Sequence, residues 1–134
     1  MGKYENLEKD VFSIFGSTLW KSENIKTFPV NFIELTPGTE FVRVSVIPSG
    51  NGINLTSISG VLIIDIFTSA GNGPRKTSLI ADKLDSYLVG KSVSTITGNS
   101  TQLNKSSLSY VGLDTVNSAL YRATYSIPFN YFGV

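Results

Sequence analysis

Two places in this 134-residue chain combine residue types that could do chemistry. The first is Gly71-Asn72-Gly73-Pro74-Arg75-Lys76-Thr77, a glycine-rich turn leading into Lys-Thr at the expected start of a helix, where free backbone N–H groups favour anions such as phosphate. It departs from a phosphate-cradling loop at a decisive position, because Arg75 stands where glycine should precede the lysine and Pro74 removes an N–H. The second is Asp65, a carboxylate inside the apolar run Val61–Phe67. A charge so placed is either a perturbed functional group or, more simply, half of a structural ion pair. The carboxylates Glu5, Glu8, Asp10, Asp82 and Asp85 fall on expected helices and read as solvent-facing.

Absent residues narrow the chemistry further. The chain has no cysteine and no histidine, which removes Ser-His-Asp and Cys-His nucleophilic sites and the usual zinc and transition-metal ligand sets. Eleven basic residues balance ten acidic ones, so no net field gathers phosphates or anionic lipid. Trp20, Phe28, Phe32, Tyr110, Tyr121, Tyr125, Phe129, Tyr131 and Phe132 lack the accompanying basic groove that base stacking needs, and read as core or protein-contact residues. The expectation is a protein that is not an enzyme, with no catalytic residue, no metal ligand and no cofactor. Met1–Asp10 is polar and charged where an export signal would be apolar, and Val61–Phe67 is far shorter than the ~20 residues that span a bilayer, which predicts a soluble chain with no membrane partner.

The elements that must position these residues follow from hydrophobic period. Leu7, Val11, Ile14, Phe15 and Leu19 share one helical face and predict a first helix stopping near Trp20 or Lys21. Ile25–Phe32, interrupted by Pro29, reads as an edge strand or extended arm. Glu40–Ile47 alternates strictly and Ile58–Thr68 forms a second long strand, predicting a hairpin across the Gly/Asn/Ser-rich Pro48–Ser57 loop. Pro74 suits the first turn of a second helix, on which Ile80, Leu84, Tyr87 and Leu88 share a face and which Gly90 ends. Val93–Thr97, Leu108–Val111 and Ala119–Phe129 predict three more strands around a polar stretch, Gly98–Ser107. The length fits one domain over residues 1–134, and the fold class is α+β: a mainly antiparallel sheet with two helices packed on one face.

The opposite sheet face is the informative one. With Val42, Val44, Val46, Leu62, Ile64 and Ile66 turned to the helices, the other side carries Phe41, Ile47, Val61, Ile63 and Phe67 together with Arg43, Asp65 and Arg122. That is too apolar for a water-facing surface. Either the Gly98–Ser107 stretch folds over it, or a neighbouring subunit does, with Arg43 and Asp65 setting register.

In order along the chain, the helix followed by Trp20, the segment FPVNFIELTPGTEFVRVSV with Pro37 and Val42-Arg43-Val44, the loop to Gly60, the strand GVLIIDIFTSAGNG and the helix opening at Pro74 with Leu79, Ala81 and Leu84 resemble the tail terminator, or tail completion, proteins of long-tailed bacteriophages. The resemblance covers Leu7 to Leu88. It implies a structural virion protein forming a homo-oligomeric ring, usually hexameric, at the head-proximal end of the tail tube. Such a ring stops tube polymerisation and presents a docking surface to the head connector, while DNA passes through its lumen unread. It further implies assembly in the host cytoplasm. Another virion piece, a tail tube subunit or head-tail joining protein, is the alternative.

A closed ring needs head-to-tail side contacts and two distinct ends. Candidates for the subunit interface are Arg43, Asp65, Phe67, Arg122 and the C-terminal Tyr131 and Phe132, expected beyond the last strand. Candidates for docking tube or connector are Ile53, Asn54 and Leu55 in the hairpin loop, with Arg75 and Lys76.

Overall fold

The structure, a computed structural model, describes residues 3–29, 40–51, 57–69, 75–95, 98–113 and 120–133. The first helical pattern yields two helices, α1 (Lys3–Phe15) and α2 (Thr18–Ser22). The chain turns at Gly16-Ser17, where Ser17 is extended and its hydroxyl caps the new helix by accepting from the Trp20 amide at 3.3 Å. That restart changes the helical phase. Trp20 takes the core position expected for Leu19, which is left 70% exposed.

Strand β1 (Lys26–Pro29) lies parallel to β2 (Phe41–Asn51), and β2 runs antiparallel to β3 (Ser57–Ser69) with Arg43 opposite Asp65. Pro29 sits on the outermost strand, where a missing N–H breaks no ladder. Helix α3 (Arg75–Leu88) follows, and Gly90, at φ 70°, occupies the left-handed position that ends it. The last third holds β4 (Ser92–Val93), β5 (Ser100–Leu103), β6 (Ser107–Leu113) and β7 (Leu120–Phe132). β7 pairs with β3 along all of its length, and its other edge is shared by β6 and β5 in succession.

Among the described residues the sheet order is β1-β2-β3-β7-β5-β4, with β6 also on β7. The architecture is therefore α+β with a mostly antiparallel sheet, as the hydrophobic periods predict; the sheet is also strongly curled and mixed, and there are three helices, two of them substantial. Leu7 and Val11 of α1 and Ile80, Leu84 and Leu88 of α3 pack with Val42, Val44, Leu62, Ile64, Ile66 and Ile127 in one buried cluster. Each such aliphatic side chain removed from water contributes about 1.5–3 kcal/mol.

Three expectations are corrected here. Gly98–Ser107 does not fold over the second face; it contains β5, which pairs with β7 in the plane of the sheet. Tyr131 and Phe132 lie within β7, not beyond it. Asp10 is buried, not solvent-facing: its carboxylate accepts from the Thr95 amide and hydroxyl at 3.0 and 2.6 Å and from the Thr101 hydroxyl at 2.8 Å, joining α1 to the chain around β4 and β5.

Candidate functional site: the second face of the sheet

Strand alternation places cross-strand rows on the face opposite the helices. In register across β2, β3 and β7 these are Phe41-Phe67-Arg122, Arg43-Asp65-Thr124, Ser45-Ile63-Ser126 and Ile47-Val61-Pro128. The Phe41 and Phe67 rings stack with centroids 4.6 Å apart, and Phe28 of β1 joins them at 6.0 Å from Phe41. With Leu120 they form a second small buried cluster.

The charged row is built on that aromatic stack. The Arg43 guanidinium carbon lies 5.9 Å from the ring centres of both Phe41 and Phe67, and that of Arg122 lies 5.9 Å from Phe67. Guanidinium groups are drawn to ring faces by the aromatic quadrupole, and stacking keeps them on an apolar surface. Asp65 finds its ion pair with Arg122, at 3.1 Å, and also accepts from the Thr124 hydroxyl at 3.1 Å. Arg43 stands directly opposite Asp65 in the ladder, where an ion-pair partner would fit. The diagonal neighbour takes that place, while Arg43 is half-buried on the phenylalanines. The Nε atoms of both arginines are buried without a hydrogen-bond partner.

Beyond the charged row the face is apolar and open at one end. Ile47 is 42% exposed, Pro128 is exposed, and Val61 and Ile63 are partly exposed. The face thus pairs a rigid cationic centre with an apolar flank, a composition suited to contact with another protein surface.

The remaining candidates divide. Phe67 belongs to the cluster but supports it from a buried position. Phe132 is half-buried on the same face, at the far end of β7 beside Ser57 and Ser100. Tyr131 points the other way into the core at 1% exposure, so it is no surface contact; burial raises its phenol pKa. Ile53, Asn54 and Leu55 lie outside the described residues, as do Gly71–Pro74 of the glycine-rich turn. Arg75 is exposed at the start of α3, Lys76 pairs with Glu40 at 3.6 Å, and Thr77 is buried.

Sequence reasoning missed a groove of about 360 Å³ between the turn that joins α2 to β1, Glu40 just before β2, and α3, lined by residues that include Glu23, Ile25, Glu40, Lys76, Leu79 and Lys83. Lys83 pairs with Glu23 at 2.9 Å, and this contact, before any other, lowers the Glu23 pKa. Only the outward phase of Leu79 on α3 could have hinted at it. Sequence also missed the Tyr125 hydroxyl, which donates to Asp85 at 2.7 Å, where the Ser106 hydroxyl donates at 2.6 Å. Burial first, then the Asp85 carboxylate, pushes the Tyr125 phenol pKa well up. Among the described residues no helix is long and apolar enough to cross a membrane, and no three His, Cys, Asp or Glu side chains gather as a metal site requires.

No protein-family model matches the chain, and no curated protein matches it. Among the solved structures that match is a protein chain that superposes with a TM-score of 0.66 at 16% sequence identity, covering 98% of this chain and 94% of its own length. At that identity the likeness shows a shared α+β fold and nothing about activity.

Proposed function

We propose that this chain is a structural virion subunit that forms a ring, hexameric in the resemblance that motivates it, on the head-proximal end of a phage tail tube. The ring ends tube polymerisation and offers its outer end to the head connector; DNA passes through without being read. This function needs no catalytic residue and no cofactor, and places the protein in the virion tail.

The observation that carries the reading is the second sheet face. Its centre holds Arg43 on stacked aromatics and its flank exposes Ile47 and Pro128, on the side of the sheet away from the helices. A cationic and apolar face of this kind suits a side contact between subunits. The ordered sequence pattern from Leu7 to Leu88 supplies the specific assembly.

The test is electron microscopy of the purified full chain, alone and added to polymerising tube protein from the same virus. Isolated rings alone, and short tubes carrying one such ring at an end, are the expected result. Long tubes formed by the chain itself would make it a tube subunit, and tubes of unaltered length with no bound ring would overturn the capping role.

A further inference from the structure

We propose that a trough running from α2 and β1 to α3 binds a single-chain phosphate monoester, its phosphate held by Lys21 and Lys26 and its apolar chain laid over Ile25 towards Leu79 and Ile80. This is a ligand site in addition to the assembly role, and it stands whether or not the chain closes into a ring.

Two grooves meet there. In the one of about 360 Å³, along α3, each lysine already has a carboxylate: Lys76 stands 3.6 Å from Glu40 and Lys83 2.9 Å from Glu23. A second groove, of about 520 Å³, is lined by Phe15, Trp20, Ile25 and Thr27 together with Lys21 of α2 and Lys26 of β1. Asn24 and Ile25 line both, so the two are continuous. Volumes of this order are those of small-molecule sites, where an apolar lining with a few charged groups fixes one orientation of the ligand.

The polarity of the trough sets the ligand's direction. Lys21 and Lys26 are both exposed, and among the described residues no carboxylate lines their groove and no ion pair uses either of them. Glu23, two residues from Lys21, is turned to α3, where Lys83 holds it and the Tyr87 hydroxyl donates to it at 3.3 Å. An anion is therefore drawn to this end of the trough. Lysine ammonium groups recognise phosphate as point charges, and two of them match a monoester whose charge at neutral pH is about −1.5 to −2. At the other end Leu79, 47% exposed, and Ile80 continue the apolar surface of Ile25, on which an alkyl chain leaves water. The balanced charge of the whole chain supplies no long-range field, so selection rests on this local pair of lysines.

Calorimetric titration of the full chain with octyl phosphate, kept below its micelle concentration, tests this. Trp20, the single tryptophan of the chain and part of the groove wall, supplies an emission readout of the same binding. Octyl phosphate is expected to bind about tenfold tighter than octanoate or inorganic phosphate, while octyl glucoside, with the same alkyl chain and no charge, gives no signal. Lys21→Gln and Lys26→Gln are each expected to weaken binding about tenfold and Leu79→Ser about threefold, with thermal midpoints unchanged because all three side chains are exposed. No detectable heat with octyl phosphate at millimolar concentration overturns the site, as does octyl glucoside binding equally well or a pair of lysine variants that bind like wild type. Octanoate binding as tightly as octyl phosphate overturns the phosphate head.

Discussion

Asp65 and Arg43 face each other in the ladder yet answer to different partners, and substitutions should separate them. Asp65 is held inside its own sheet by Arg122 and Thr124, with its side chain 17% and that of Arg122 34% exposed. Asp65→Asn should therefore lower folding stability by about 1–2 kcal/mol, a partly screened version of breaking a buried pair, as measured by urea denaturation. A loss of assembly without a loss of stability would contradict that placement. Tyr125 supplies a pH signature. Its folded-state pKa is raised, so its contribution to stability is complete below the ordinary phenol value of about 10 and is lost as pH climbs through the folded value. Tyr125→Phe should be less stable at neutral pH, having lost the Asp85 hydrogen bond, yet show a shallower alkaline fall in denaturation midpoint. The alternation in sequence located the charged residues on the correct face because side-chain direction along a strand has period two. It could not decide that Asp65 pairs diagonally, since that depends on side-chain conformation over the aromatic stack. Tyr131 was misplaced for a related reason: the last strand runs longer than its sequence signal, and one more step of alternation turns that ring inward.

At the level of elements, two contacts hold the sheet and first helix in place. Gly60 packs where β2 shifts register, and a Cβ there would be driven into the Ile47 carbonyl oxygen and against the Phe129 ring. Gly60→Ala should cost about 1–3 kcal/mol as overpacking, read as a lowered thermal midpoint. Asp10→Ala strands three donors around β4 and β5, one of them the Thr101 hydroxyl at a residue 1% exposed, and should cost about 1–3 kcal/mol for each donor left buried and unsatisfied. Faster hydrogen exchange at the Thr95 amide would locate the damage. Helices α1 and α3 and strands β2, β3 and β7 were legible because each carries several turns or alternations of apolar residues. β5 was not: only Thr101 and Leu103 of its four residues are buried, too few to reveal a period. The break at Gly16-Ser17 was hidden because a helix restart preserves composition and alters only phase.

For the whole molecule, the curled sheet separates two unlike surfaces, a helix layer on one side and an apolar, cationic face on the other. On the proposed ring reading, contacts between such opposite sides would run in one direction, and closure would fix the number of copies. On the proposed ring reading, charge near neutrality suits a lumen through which DNA would slide without being gripped, since each phosphate contact would add salt-dependent affinity. Sedimentation equilibrium of the purified full chain over a wide concentration range tests the central claim most directly. A monomer converting to a single closed oligomer, with no larger species at the highest concentrations, is the predicted result; a strict monomer throughout, including with tube protein present, would contradict it.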